Sequence, residues 1–207
     1  MGGAGRTGKI RKMVMSAAIA LSAVDLAATL AAETPAIKIE LAHGTEREQR
    51  TKDTLQQLLE IYDLKKYTFT RRVVIEERAI NHAFPVLTLN VRFGTSPDEL
   101  LSSYLHEQLH WHLRDREPRQ RDAVAELRRW YPTVPVGLPE GADTAASTYG
   151  HLIDCYLEIQ ADRELLGPTR TTSVIAGKTT YTWIYSTVLR DEDRIAGLVN
   201  RNQLRVK

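Results

Sequence analysis

The sequence predicts an α+β protein, with a small sheet in its first half and helices through its second. Residues 67–75 and 84–93 are rich in β-branched and aromatic side chains and read as strands. From Pro97 onward, apolar residues recur at helical spacing. Inside the first of those helical stretches lies His106-Glu107-Gln108-Leu109-His110, an H-E-x-x-H pattern that suits one kind of chemistry.

The elements follow in order. Residues 36–42 alternate apolar and polar as a strand does, and residues 45–62 place Leu55, Leu58, Leu59 and Tyr62 at helical spacing. The strands at 67–75 and 84–93 come next, with Pro85 marking an edge or a strand beginning. Ser96-Pro97-Asp98-Glu99 reads as a helix start, with Ser96 as N-cap, Pro97 at the first helical position and Glu99 completing a capping box. That helix runs to about Arg116 and carries Leu101, Leu105, Leu109 and Leu113 as a buried row. Residues 119–130 are helical and basic, and the prolines and glycines of 132–145 make a loop. Residues 146–166 are helical again, closed by Gly167-Pro168. Residues 179–189 fit strand or helix, and a short helix near 190–199 ends the fold.

Length and composition set bounds. At 207 residues the chain has the size of one domain with a real core. The formal charge is +2, but residues 1–32 carry a net +3 of it, in Arg6, Lys9, Arg11, Lys12 and Asp25. The rest is near neutral, which speaks against a nucleic-acid surface. The basic residues precede an apolar run from Met13 to Val24, of signal-peptide length and too short to span a bilayer. Residues 1–35 are thus a signal-like or disordered leader, and 36–207 a single domain. The protein is exported if that signal is real and cytoplasmic otherwise. The single cysteine, Cys155, excludes an intrachain disulfide and a Cys-rich structural zinc site.

On a helix, residues four apart stack, so His106 and His110 can grip one metal ion. Glu107, turned about 100° from His106, can take a proton from a water that the metal activates. Imidazole and carboxylate ligands point to zinc, which also needs a third protein ligand. The helix at 146–166 offers candidates. His151, Cys155, Glu158 and Asp162 are spaced 4, 3 and 4 apart and share one stripe. A stripe facing an ordinary core would be apolar, so this one is expected to face the metal.

His106-Glu107-x-x-His110 followed by Glu158-x-x-x-Asp162 resembles the gluzincin zinc metallopeptidases, over roughly residues 67–166. The resemblance implies a small zincin-like domain that hydrolyses a peptide or protein substrate, with Glu158 as third zinc ligand and Asp162 hydrogen-bonded to His106 or His110. It also makes the strand at 84–93 the sheet edge that takes the substrate. A carboxylate bonded to a metal-binding histidine has its own rationale, because it fixes the ring and raises its basicity. His151 is the rival third ligand. It lies about 10 Å along the axis from Glu158, so one of the two belongs in the coordination sphere and the other in the cleft. Two histidines with a carboxylate form a common catalytic set, which favours Glu158. His151 then binds substrate or stabilises an oxyanion. Cys155 reads as a small buried residue, and Tyr181 and Tyr185 as further oxyanion donors or core side chains. The alternatives to a peptidase are a zinc-binding, non-catalytic domain on a degenerate peptidase fold, or a non-peptide amide hydrolase.

Overall fold

The computed structural model describes residues 1–3 and 36–207. The signal-like segment expected at 1–35 therefore lies almost wholly outside the described residues. The rest is mixed helix and sheet, as expected for α+β. Three strands, β1 (Lys38–Leu41), β2 (Arg72–Ile75) and β3 (Leu87–Leu89), pair in parallel in the order β1-β2-β3. Parallel neighbours need a crossover. Helix α1 (Glu46–Ile61) supplies the first, and residues 76–86 carry the chain from β2 to β3 without a helix.

Thr45 caps α1, its hydroxyl accepting from the Glu48 amide. The Glu48 carboxylate then accepts from the amides of His43 and Gly44 at 2.8 Å each and of Glu77 at 3.2 Å. One fully buried carboxylate thus ties the ends of β1 and β2 to the helix. Both expected long strands are shorter. Residues 65–67 form a 3-10 turn and only 72–75 pair, while 91–93 form a second 3-10 turn after β3. Nor is β3 a free edge. Thr88 turns its amide and carbonyl away from β2 and bonds with both to His82.

Helices α2 (Pro97–Arg114), α3 (Glu117–Trp130), α4 (Ala145–Leu166), α5 (Pro168–Ala176), α6 (Thr182–Arg190) and α7 (Glu192–Arg201) follow. Pro97 opens α2 as expected, but Ser96 makes no side-chain cap bond, so the capping box predicted there is absent. The ambiguous segment at 179–189 is mainly helix, and α5 was not foreseen. Gly167, at φ +80°, ends α4 in a conformation that favours glycine.

Two apolar clusters fill the interior. One lies under the sheet, with Leu55, Val73, Leu87, Leu101 and Leu105; the other surrounds α4, with Leu109, Leu113, Leu127, Leu152 and Ile184. The leucine row of α2 spans both clusters, which fixes the helix over its whole length. Helix α4 packs against α2, α3, α5, α6 and α7. Burial on all sides explains why its apolar residues are not confined to one stripe. No helix among the described residues is long and apolar enough to cross a membrane.

Candidate metal centre

Helices α2 and α4 pack directly on each other, and the chemistry lies where they meet. On α2, His106 and Glu107 are buried and His110 is partly exposed. The spacing of four sets the two imidazoles edge to face, centroids 4.8 Å apart. The far side of the helix is anchored. Trp111 Nε1 donates to the Ala83 carbonyl at 2.9 Å, the Arg114 guanidinium lies 3.9 Å over the Trp111 ring, and His112 Nε2 bonds the Leu204 carbonyl. Trp111 and His112 therefore pack.

Helix α4 begins at Thr144, whose hydroxyl accepts from the Ser147 amide at 3.0 Å. Its His151 ring comes within 5.5 Å of His106 and 5.0 Å of His110. Among the described residues, the ligand atoms of His106, His110 and His151 lie within 4.8 Å of one another, and those of His106, Cys155 and Glu158 form a second such group. These residues could hold a metal ion. The expected set of His106, His110 and Glu158 is not among the groups that converge.

Hydrogen bonds fix two of the three imidazoles. His151 Nδ1 is 2.8 Å from the Ser147 carbonyl, which only accepts, so Nδ1 carries the proton and Nε2 a free lone pair. His106 Nδ1 faces two carboxylates, Glu158 Oε2 at 2.8 Å and Asp154 Oδ2 at 3.0 Å, so it too must donate. Burial lowers the pKa of His110, and it lowers that of His151 to about 4, with the charges of His106 and His110 adding to the effect. Both are therefore neutral near pH 7, the form that ligates metal. His106 goes the other way. Burial disfavours its charged form, but Asp154 and Glu158 outweigh that and raise its pKa. Burial also pushes Glu107 up to about 7, with His106 partly opposing it.

Glu158 is fully buried and its oxygens are fully engaged. Oε1 accepts from Ser102 Oγ at 2.6 Å and Lys178 Nζ at 2.8 Å; Oε2 accepts from His106 and from Tyr185 Oη at 2.7 Å. Tyr185 is thus committed to Glu158 and is no free oxyanion donor. Asp162 does not hydrogen-bond His106 or His110. Its oxygens are buried without a hydrogen-bond partner, and burial with the neighbouring Glu158 charge pushes its pKa up to about 8. That disfavours the charged form that an orienting base would need. Cys155 is buried behind His106, and burial pushes its thiol up to about 11.

Asp154, Ser102 and Lys178 were not foreseen. Asp154 had a signal, since it lies three residues after His151 and four before Glu158, on the same face. Ser102 had a fainter one, one turn before His106. Lys178 had none. It sits in the loop between α5 and α6, and nothing in the sequence says that this loop returns to α2.

The three histidines and Glu107 line a cleft of about 730 Å³, whose walls include Phe84, Arg92, Phe93 and Leu138. Tyr181 also lines it, with its ring 4.5 Å from His151 and 6.1 Å from His106. Its backbone is left-handed, φ +59°, a strained conformation for a tyrosine and one that aims the ring at the histidines. No protein-family model matches this chain, and no curated protein or solved structure matches it significantly.

Proposed function

We propose that this chain is a zinc-dependent hydrolase of zincin type that cleaves peptide bonds, with His106, His110 and His151 holding the metal and Glu107 as general base. The observation that carries this reading is the convergence of three imidazoles, two of them aimed by hydrogen bonds, beside a buried carboxylate in an open cleft. The donor set fits zinc, for which three protein ligands and an open position are the catalytic arrangement. The surroundings fit a cation as well. The Asp154 carboxylate is fully buried between His106 and His110, and neither oxygen has a partner of good hydrogen-bond geometry.

The resemblance to gluzincins supports the reaction class, but the ligand roles are redistributed. Glu158 belongs behind His106, where it holds the ring and keeps the proton on Nδ1. His151 takes the third position.

When bound, zinc supplies Lewis acidity, polarising a carbonyl and acidifying water. The chain supplies the proton transfers and the alignment. Glu107 takes the proton from the attacking water and returns it to the leaving amine; a pKa near 7 suits a group that must do both. Tyr181, beside His151 in the cleft, supplies a hydroxyl to the carbonyl oxygen as negative charge develops on it. The apolar walls at Phe84, Phe93 and Leu138 bind the side chains of a polypeptide, and the mouth of the cleft admits it.

The test is metal analysis of the purified protein beside a peptide-library cleavage assay. Wild type and Glu107→Gln are each expected to hold about one zinc per chain, His151→Ala almost none, and only wild type to cleave. Zinc binding without cleavage by wild type would leave a zinc-binding, non-catalytic domain, and equal turnover in Glu107→Gln would remove Glu107 as general base.

A further inference from the structure

Resting on that reading, the geometry points to Lys178 as a positioning residue that decides which of two rival side chains the metal takes as third ligand. Glu158 stands where it can enter either of two arrangements. Its carboxylate converges with His106 and Cys155 as a possible metal group, yet in the structure it lies behind His106 and bonds its Nδ1. What holds it there is a set of donors, and Lys178 is the cation on the oxygen that His106 does not touch.

The Lys178 ammonium donates to Glu158 Oε1 at 2.8 Å and to Ser102 Oγ at 3.0 Å, while Ser102 itself donates to Oε1. The three groups close a triangle. On the other oxygen, Tyr185 and His106 supply one donor each. A carboxylate has about four lone-pair positions, and here all four are used. To become a metal ligand, Glu158 would have to break contacts on at least one side. The costliest to break is the ion pair, because both partners are buried: the side chains of Lys178 and Glu158 are 16% and 0% exposed.

The backbone is built to deliver this cation. Lys178 follows Gly177, which runs so close to the first turn of α2 that a Cβ there would lie 3.2 Å from Glu99 Oε1. A larger residue there would need the Glu99 side chain to give way by a few tenths of an ångström. Tyr185, on the next helix, packs its ring 5.5 Å from the same ammonium. Lys178 thus contacts side chains of α2, α4 and α6, and it bonds the oxygen of Glu158 that His106 leaves free. With Lys178 in place Glu158 orients His106, and the vacancy in the coordination sphere falls to His151. Without it, Glu158 Oε1 keeps only Ser102, the carboxylate is freed toward the group it forms with His106 and Cys155, and its hold on His106 Nδ1 slackens, with Asp154 Oδ2 at 3.0 Å as the other acceptor.

The experiment compares wild type with Lys178→Met and Lys178→Gln in two measurements. The first is the proton NMR signal of His106 Nδ1–H in the metal-free protein, assigned with His106→Ala. The second is zinc affinity by competition with a chelator of known strength. In wild type the Nδ1 proton is expected downfield and slow to exchange. In both variants it is expected to shift and broaden as Asp154 takes over as acceptor, with zinc affinity falling roughly 10- to 100-fold, the effect of disturbing an outer partner of a metal ligand. A merely structural lysine would lower thermal stability and move neither readout. An unchanged Nδ1 signal with affinity within about twofold of wild type overturns the proposal. If Lys178→Met does not fold, the milder Lys178→Gln, which keeps a donor and removes the charge, carries the test. Wild type that binds no zinc would sink the metalloenzyme reading alone, because the metal-free NMR signal still reports whether Lys178 holds Glu158 against His106.

Discussion

If His151 holds the metal and Glu158 orients His106, as proposed, then His151→Ala and Glu158→Gln separate the two roles. Apparent binding energies for structural zinc are about 10–16 kcal/mol, so one of three protein ligands accounts for roughly 3–5 kcal/mol. His151→Ala should therefore weaken zinc binding by roughly 10²- to 10⁴-fold. Glu158→Gln keeps the shape of the side chain, and its loss of charge acts through His106 Nδ1, 2.8 Å away, so a roughly 10- to 100-fold weakening is expected. The assay is competition titration, checked by thermal unfolding. At a free zinc concentration 100 times the wild-type Kd, binding stabilises the fold by about 2.7 kcal/mol. For a domain of this size, roughly 2–4 °C per kcal/mol, that raises Tm by about 5–11 °C. At the same zinc concentration His151→Ala should show no rise, and Glu158→Gln a reduced one. If Glu158→Gln loses more affinity than His151→Ala, the carboxylate is the ligand and the assignment made from the geometry is refuted.

Glu107→Gln should retain zinc and lose at least roughly 10²- to 10⁴-fold in kcat, the usual contribution of a general base, measured with any peptide the wild type cleaves. Glu48→Gln should cost about 2 kcal/mol at pH 7 in chemical denaturation, because the amide replaces an oxygen that accepts backbone amides. Those amides hold the Glu48 pKa below its usual 4.5 despite burial. Its stabilisation is therefore fully present above pH 4.5 and is lost as pH falls through the lowered value. The gap between wild type and Glu48→Gln should close on that acid side, and a gap independent of pH would contradict the assignment. Leu152→Ala empties a fully buried site on α4 and should cost about 2–5 kcal/mol in the same measurement.

What was legible in the sequence is what a single helix encodes. The leucine row of α2, its opening at Pro97, the stacking of His106 on His110 and the common face of His151, Cys155, Glu158 and Asp162 all follow from a period of 3.6 residues. The strands were read too long because β-branched runs fit 3-10 turns and extended loops as well as strands. Only pairing partners distinguish them, and β3 has just three paired residues.

Which of His151 and Glu158 faces the cleft was not legible, for a different reason. Spacing along α4 says that His151 and Glu158 share a face and cannot readily share one ion. It does not say which of them looks into the cleft. That is settled by groups from other elements: Ser102 on α2, Tyr185 on α6 and Lys178 in the loop before it, which together occupy Glu158. A carboxylate in water is an equally good ligand or hydrogen-bond acceptor. Buried, it becomes whichever its neighbours make it, because an ion without partners is excluded from the interior. Reading such a residue from sequence requires locating the cation that will neutralise it. Here that cation lies 20 residues downstream, brought back by a short helix that periodicity alone did not reveal.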